Sequence, residues 1–497
     1  MTSPALVILD GESLTCARVA QVARGGARVG VSAAGRARAQ AAARLAAEVT
    51  RTRPVYGRTT GVGANRDQLV PTGGAAGNGV RLLRSHAGGG GPLIAAELSR
   101  AMLVVRANQL AAGGSGVDAG VLDALAGVIN QGLAVPVPTY GAIGTGDLTA
   151  LAATALCLLG ERDWLPPGGD AARPSPGPAS APRFTLASAD ALAFISSNAA
   201  TIGEAALACH DLAGLLQAST LVAALSHLAV TASAEPYAAT VHAGRGRPGQ
   251  EAVAATLREL LAAEPGAPAR IQDPYGYRAL PQVHGAAVDS VRQTEQAVTS
   301  DANAASENPL VDVAGHAVWH NGNFHTAYIG LALDAVRAAL FQTSALSAAR
   351  LGTLVEPAFT GMAPFLAGDA PPSSGIMILE YVAHAAIADI RRLAAPAALG
   401  SAVLSRGVEE HAGFSTQSAR ATTDVAAAYR LVLACELVAA IRALRMRGIR
   451  PAGERLAAAF DRSAAALPAD LHDRPLDADL AAAQDLLLPL TVLVSGA

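Results

Sequence analysis

The stretch Pro136–Ala152, PVPTYGAIGTGDLTALA, holds a turn and a helix start from which the rest of the fold can be worked out. By themselves, Gly144-Thr145-Gly146-Asp147 are typical of a turn followed by a helix N-cap, with Asp147 accepting backbone N–H bonds. A second interpretation is chemical. A glycine amide nitrogen can attack the carbonyl two residues back where small residues permit a tight turn, and loss of water from the intervening hydroxyl residue leaves a conjugated imidazolone.

The composition on both sides of this turn predicts an all-α protein. Of the 497 residues, 51% are hydrophobic and only 4% aromatic, so the apolar mass is mostly Ala, Leu and Val. Apolar positions recur at three- and four-residue spacing in long segments, which indicates a helical bundle: 187–234, 249–263, 284–304, 325–353, 376–394 and 417–447. We predict a loop-rich N-terminal region, a bundle with C-terminal helices, and a Pro/Gly-rich surface excursion, with bounds 1–200, 201–497 and 166–182.

Several classes of partner are excluded by charge and pattern. The net charge is −3 and the arginines are scattered, so no nucleic acid is expected. The uncharged stretch Leu212–Ala234 is interrupted by polar residues, which favours a buried helix over a membrane span. The start has no leader pattern, and the four cysteines are far apart, so we expect a cytoplasmic protein with reduced thiols and neither a metal nor a nucleotide cofactor.

Two stretches could carry chemistry. The segments GRTTGVGAN and HAGGGGPL, which both follow Tyr56, contain glycines that prevent regular structure. Tyr56 is therefore either a lid residue of a site or a packing residue. In Gln272–Arg278, an arginine a few residues from two tyrosines offers a clamp for a carboxylate beside a phenol that could move a proton. The alternative for the second stretch is an ordinary polar loop.

Eight segments between about Leu6 and Met446 resemble, in sequence order, the motif series of histidine, phenylalanine and tyrosine ammonia-lyases. They are VYGRTTGVGAN, LLRSHAGGGGPL, PVPTYGAIGTGDLTALA, IQDPYGYRALPQVHGA, ANAASENPLV, NGNFHTAYIGLALD, SSGIMILEY and VEEHAGFS. The resemblance implies an all-α homotetramer whose active sites are completed by loops of neighbouring subunits. It also implies an electrophilic methylidene-imidazolone (MIO) made from an Ala-Ser-Gly tripeptide, which attacks the substrate amine before a tyrosine removes the β-proton.

The resemblance assigns catalytic roles residue by residue. Tyr56 matches the general base on a mobile inner loop, and Tyr275 the second tyrosine beside the prosthetic group. Arg278 matches the arginine that holds the substrate carboxylate, Asn303 the asparagine that assists it, and Phe324 an aromatic residue near the prosthetic group.

Further matches concern the substrate. His86 stands where histidine and tyrosine enzymes use a histidine to bind a polar ring substituent, so the resemblance favours a substrate with a polar ring or head group. Gln272 opens the stretch that contains the carboxylate clamp, and Asp389 stands where histidine ammonia-lyases place a glutamate near the imidazole. Glu409 and His411 match a late Gln-Glu-Asp-His run.

The sequence departs from the family where the imidazolone is built. The usual loop reads Gly-Ser-Val-Gly-Ala-Ser-Gly-Asp-Leu, whereas residues 141–148 read GAIGTGDL, one residue shorter and without Ala-Ser-Gly. Cyclisation of Gly144-Thr145-Gly146 would give a hindered ethylidene. Ser196 replaces the asparagine that contacts the imidazolone, and its hydroxyl lacks an amide donor. The family usually has a glutamate where this sequence has Asp301, and an aspartate where it has Glu307.

Three functions remain open from the sequence. The first is an ammonia-lyase or aminomutase acting on an aromatic or related amino acid, with an atypical or absent MIO. The second is an enzyme that uses the same pocket for acid–base work such as dehydration, isomerisation or cyclisation in specialised metabolism. The third is a non-catalytic homologue.

Overall fold

The computed structural model describes residues 5–70, 75–168, 181–264, 266–368 and 372–495, and it is mostly helical. The helices of the first half are α1 (Cys16–Ala23), α2 (Ala33–Val49), α3 (Ala75–His86), α4 (Ala96–Ala112), α5 (Val121–Asn130), α6 (Leu148–Leu159), α7 (Ala191–Ile195), α8 (Ala199–Ala229), α9 (Ala239–Ala243) and α10 (Pro248–Leu261). Those of the second half are α11 (Tyr275–Arg278), α12 (Leu280–Ala302), α13 (Ala327–Val355), α14 (Pro357–Thr360), α15 (Ile378–Leu393), α16 (Ser415–Met446), α17 (Glu454–Ala466), α18 (Asp477–Leu487) and α19 (Val492–Ser495). The all-α prediction is therefore confirmed.

Helix ends follow local sequence chemistry. Thr15 caps α1 by accepting the Arg18 N–H, and Ser32 caps α2 by accepting the Gly35 N–H. Glycine ends α4 and α6: Gly113 and Gly160 take left-handed conformations that other residues adopt at a cost.

Three small sheets connect the helices. The pairs are β1 (Leu6–Leu9) with β2 (Arg28–Val31) in parallel, and β3 (Gly90–Leu93) with β4 (Pro138–Tyr140) and β5 (Leu310–Asp312) with β6 (Ala317–Trp319) in antiparallel order. In the second sheet Gly90 lies opposite Tyr140. This pairing places the end of α3, with His86, beside the loop that precedes Gly144.

The chain forms two compact units. The first comprises residues up to His210 together with Thr294–Leu333 and Pro396–Arg420, and the second comprises Asp211–Gln293, Asp334–Ala395 and Ala421–Ala497. The division expected from sequence, at about residue 200, leaves out the two later segments that return to the first unit. Each unit has an apolar core of its own, which includes Leu103 and Leu151 in the first unit and Leu221 and Leu433 in the second.

Buried arginine–glutamate pairs lie inside both units. Arg106 donates to Glu307 at 2.8 Å in the first unit, and Arg350 holds Glu436 through two donors at 2.7 and 2.8 Å in the second. Side chains in both pairs are at most 1% exposed. Each pair disfavours conformations of the core that separate its arginine from its glutamate, because separation would leave a buried charge without a partner.

Within the part of the chain that the structure describes, two apolar segments are long enough to cross a membrane, but both contribute to the protein core. In Ser188–Ala229 and Ala327–Val355, 78% and 50% of the most apolar window is buried inside the protein. The cysteines, Cys16, Cys157, Cys209 and Cys435, are all buried and unpaired. Of the Pro/Gly-rich stretch 166–182, residues 169–180 lie outside the described residues.

Candidate active site

A cavity of about 280 Å³ lies in the first unit and is bordered by several residues that the sequence singled out. Its lining comprises Tyr56, Val62, Gly63, Ala64, Asn65, His86, Thr145, Gly146, Leu148, Leu192, Ser196, Ser197, Asn308, Phe324, Ser405 and Glu409. Seven separate segments of the chain thus meet at this point. The cavity collects the inner-loop tyrosine, the histidine of the glycine-rich segment and the turn at Thr145 in one place.

Tyr56 is held at both its backbone and its phenol. Its amide donates to Nε2 of His320 at 3.1 Å, and the Gly63 amide donates to its phenolic oxygen at 2.7 Å. Gly57, next in the chain, has φ +69° and packs so closely on Leu192 that a Cβ would overlap that side chain. Burial, followed by the nearby Glu409 carboxylate, raises the pKa of Tyr56 above its ordinary value. The isolated protomer therefore holds Tyr56 as a neutral phenol at pH 7.

His86 ends α3 with its ring orientation fixed by the preceding turn. Its Nδ1 lies 2.9 Å from the Leu82 carbonyl oxygen, which can only accept, so Nδ1 carries the proton. The Ser85 hydroxyl donates to the same carbonyl and accepts from Nδ1 at 3.0 Å. In the neutral ring, Nε2 is therefore an acceptor available to a bound molecule.

Glu409 brings a carboxylate to the cavity from the loop that precedes α16. Its backbone pairs with Leu404, and within the described chain no basic side chain forms an ion pair with its carboxylate. The neighbouring residues Ser405 and Arg406 have φ of 51° and 56°, which is uncommon for residues other than glycine. The Ser405 hydroxyl accepts the Ala64 amide at 3.1 Å, which connects this loop to the Tyr56 loop.

The turn at Thr145 is held by the short segment between α7 and α8. The Gly146 amide donates to Oδ1 of Asn198 at 2.9 Å, and the Asn198 side-chain amide donates to the Phe324 carbonyl. The Asp147 amide donates to the Ser197 carbonyl at 2.8 Å. Ser197 and Asn198 were not identified from the sequence as residues that hold the turn. The asparagine two positions after Ser196 is the signal that could have indicated this role for Asn198.

The residues around the turn do not fit the imidazolone that the family resemblance implies. The Ser196 hydroxyl bonds the backbone of Asn308, at 3.0 Å from its nitrogen, instead of the turn. Gly144 has φ +85°, and a Cβ there would lie 2.6 Å from the Ser415 hydroxyl oxygen, so alanine cannot occupy the position without movement of its neighbours. We therefore derive no catalytic step through this group.

Asp147 is fully buried beneath the turn and makes the stability of this region depend on pH. Its carboxylate accepts the Thr201 amide at 2.7 Å and the Thr201 hydroxyl at 3.0 Å, but burial outweighs these bonds and raises its pKa to about 6 from 3.8. Because the folded-state pKa of Asp147 is raised, the protonated carboxyl stabilises the folded protein. This contribution is present in full below about pH 3.8 and is lost as the pH rises through about 6. The total loss is on the order of 3 kcal/mol.

We expect Asp147→Asn to flatten this pH dependence, because asparagine has no charge to bury. The measurement is urea unfolding of the wild type and the variant at pH 4 and pH 7. The stability of the wild type relative to the variant should be higher at pH 4 than at pH 7. Parallel pH profiles for the two proteins would contradict the assignment.

Four of the predicted site residues belong to the second unit and do not line the cavity, and Gly144 and Asn303 of the first unit do not line it either. Gln272, Tyr275 and Arg278 belong to the second unit, as does Asp389 on α15. Tyr275 is 65% exposed, and the Arg278 guanidinium lies 4.2 Å from the centre of its ring. Asp389 is exposed and pairs with Arg392 one helical turn on, at 3.5 Å. Within one protomer, then, the carboxylate clamp and the phenol beside it are not part of the Tyr56 cavity.

Asn303, which the resemblance predicts to assist the carboxylate clamp, is instead bonded to the N-terminal segment and to neighbouring helices. Its Oδ1 accepts the Leu14 amide and the Asn108 side chain, and its Nδ2 donates to the carbonyls of Leu14 and Thr299. These four bonds use the full capacity of a carboxamide. The residue therefore fixes the N-terminal segment to α12, and Asn308 is the asparagine of this motif that lines the cavity.

Over the five described ranges, no group of three or more His, Cys, Asp or Glu residues could hold a metal ion. His325 and His411 bond each other, Nε2 to Nδ1, at 3.0 Å and so connect the Phe324 segment to the Glu409 loop.

Known proteins resemble this chain over most of its length. A family model described as aromatic amino acid lyase matches residues 14–465. A histidine ammonia-lyase of Anaeromyxobacter sp. (strain K) is 34% identical over 500 residues, covering 97% of this chain and 98% of that protein.

Solved structures are similar along the whole chain. The histidine ammonia-lyase of Trypanosoma cruzi has a TM-score of 0.88 at 26% identity, covering 99% of this chain and 95% of that one. The tyrosine aminomutase of Streptomyces globisporus has a TM-score of 0.89 at 27% identity, covering 98% and 97%. Together with the cavity around Tyr56, these matches show that the chain is an enzyme of the aromatic amino acid lyase family.

Proposed function

We propose that this enzyme is a lyase that moves a proton with Tyr56 on an amino acid whose head group is cationic and bears N–H donors. The observation that carries the proposal is the pair of unsatisfied acceptors in the cavity, Nε2 of His86 and the carboxylate of Glu409. An imidazolium or guanidinium group supplies donors for both acceptors, and its charge would compensate that of Glu409. The similarity to histidine ammonia-lyases supports an imidazole as the first head group to assay.

Substrate binding would also prepare Tyr56 for catalysis. The Glu409 carboxylate is one reason why the pKa of Tyr56 is raised, and a cationic head group bound to Glu409 would offset that effect. The Gly63 amide already donates to the phenolic oxygen and favours the phenolate. The phenol would then act as a base in the complex at a lower pH than in the free enzyme.

A second copy of the chain would complete the site. The exposed Tyr275 stacks on the half-buried Arg278 outside the Tyr56 cavity of their own chain, and Ile271, four residues before Tyr275, is 99% exposed. Tyr328 on α13 is 83% exposed, and packing of a second copy of the chain would cover its ring, since aromatic residues are enriched at protein interfaces. A homotetramer in which one subunit supplies the carboxylate clamp to another subunit's cavity accounts for both features.

We expect Glu409→Gln to weaken binding of cationic substrates and to move the pH profile. Loss of one charged hydrogen bond of about 1.5–3 kcal/mol corresponds to a rise in KM of roughly 10- to 150-fold. Since the carboxylate no longer raises the pKa of Tyr56, the pH dependence of kcat/KM assigned to the phenol should shift to lower pH. Steady-state kinetics from pH 6 to 10 with histidine as the first test substrate, and with its β-amino isomer, measure both effects.

The matched control is Glu410→Gln, an exposed carboxylate one residue away that does not line the cavity. It should leave KM and the pH profile close to those of the wild type. Equal effects of the two variants would mean that a general change in charge, and not contact with the head group, is responsible.

Histidine ammonia-lyase activity through an imidazolone is the second candidate. The 34% identity over nearly the whole length of a histidine ammonia-lyase favours it, as do Tyr56, His86 and Phe324 around one cavity. The two candidates differ in whether Gly144-Thr145-Gly146 is chemically modified.

A further inference from the structure

Backbone groups at and beside the Gly144–Gly146 turn bond to two neighbouring segments of the chain. Ile143 accepts the Phe414 amide at 2.8 Å, Gly146 donates to Asn198, and Asp147 donates to Ser197. Asn198 is itself only 1% exposed. The turn is therefore held at Ile143, Gly146 and Asp147 by the segment between α7 and α8 and by the residue that precedes α16.

Ring closure would require the Gly146 nitrogen to attack the Gly144 carbonyl carbon and to lose its hydrogen. In this turn that N–H is donated to a carboxamide oxygen, which accepts a hydrogen bond but does not act as a base near neutral pH. The Thr145 hydroxyl, which would have to leave as water, has no hydrogen-bond partner within the described part of the chain. Both chemical requirements for an imidazolone are thus missing from the surroundings of the turn.

We propose that Gly144-Thr145-Gly146 remains an unmodified peptide, held by Asn198 as a positioning residue, and that the substrate supplies its own activation. The substrate class is then a β-amino acid: an amino group on the carbon next to the ring, with the proton to be removed on the carbon next to the carboxyl group. This inference rests on the proposed function for the head group and for Tyr56, and it names the substrate class of that site.

The chemistry balances without an added electrophile. The Tyr56 phenolate takes the proton α to the carboxyl group, and the C–H electron pair enters an enolate delocalised onto the carboxyl oxygens. When the enolate collapses, that pair forms the C=C bond, the C–N bond breaks, and the protonated amino group leaves as ammonia with the C–N pair. In an α-amino acid the amino group is on the carbon next to the carboxyl group. The proton to be removed is then on the β-carbon, where the carboxyl group does not make it acidic.

The first test is the intact mass of the purified wild type and of Thr145→Ala. We expect the wild type to have the unmodified mass of its chain, and the two masses to differ only by the exchange of threonine for alanine. Loss of two waters from the wild type overturns the inference. This measurement does not depend on whether Thr145→Ala is active.

The second test is turnover of two isomers by the wild type. β-Histidine, with its amino group on the ring-bearing carbon, and histidine give the same imidazole acrylate on loss of ammonia, so one absorbance assay follows both. We expect turnover of the β-isomer at least 100-fold above that of histidine, unaffected by prior treatment with borohydride. Preference for histidine, or loss of turnover after borohydride, overturns the inference.

Failure of this inference and failure of the proposed function give different experimental results. The proposed function fails when Tyr56→Phe or Glu409→Gln leaves the kinetics of every substrate unchanged. The masses test the turn, and the isomer preference tests the substrate class.

Discussion

Replacement of Tyr56 by phenylalanine is expected to lower kcat by about 100- to 10,000-fold, the usual contribution of a positioned proton-transfer group. The phenolic oxygen accepts the Gly63 amide at 2.7 Å, and this donor favours the charged phenolate. The phenylalanine ring still fills the space against the His320 ring, so the fold should persist. Steady-state kinetics together with circular dichroism separate loss of chemistry from loss of structure.

Tyr140→Phe is the matched control for this variant. Tyr140 is 68% exposed and does not line the cavity, so removal of its hydroxyl should leave kcat within about twofold of the wild type. A kcat for Tyr56→Phe close to that of the control would rule out proton transfer by this phenol.

Tyr56→Phe also tests whether copies of the chain share a site. Arg278→Met should be inactive for a different reason, since it removes the proposed carboxylate clamp. If the cavity of one subunit takes Arg278 from another, co-expression of the two variants yields some sites with both residues intact. Activity well above that of either variant alone is expected, and its absence in verified mixed oligomers contradicts site sharing.

The second large effect is expected on stability, from Arg106→Met in the first unit. The Arg106 guanidinium donates to Glu307 and to the carbonyls of Ala193 and Phe194, at the end of α7 just before Ser196. Methionine fills much of the volume but leaves Glu307 buried without its partner. We expect the free energy of unfolding to fall by about 3–5 kcal/mol, measured by urea denaturation.

Arg36→Met gives the comparison. Arg36 is also paired with a carboxylate, that of Asp123, through two bonds at 2.6 and 2.8 Å, where Arg106 makes one to Glu307, but both side chains of the Arg36 pair are partly in solvent. Exposed pairs of this kind contribute about 0–1 kcal/mol. If both variants lose the same small amount of stability, the buried pair does not organise this part of the core.

The features that follow from local sequence chemistry were predictable. Ala- and Leu-rich periodicity gave the helical bundle, because helix propensity and spacing are local properties. The glycine-rich loops around Tyr56 and His86 indicated a site, and both residues line the cavity. Family resemblance placed Thr145, Gly146, Ser196 and Phe324 there as well, although their roles stay predictions.

What could not be predicted depends on contacts between distant parts of the chain. Asn303 bonds Leu14, 289 residues away, and no local pattern indicates that its carboxamide is fully used in this way. Asn198 is another example, because its bond to Gly146 arises only when α8 packs beside the turn. Similarly, the motif that holds Tyr275 and Arg278 gives no sign that it belongs to a different unit from Tyr56.

The buried, unpaired cysteines make the folded chain inert towards thiol reagents. Burial raises the pKa of the Cys157 and Cys435 thiols to about 12, and alkylating agents react with the thiolate, which is then scarce at neutral pH. Cys157 lies in the first unit and Cys435 in the second. The rate at which each is alkylated therefore reports how often its own unit opens, so the opening of both units can be timed in one sample without added probes.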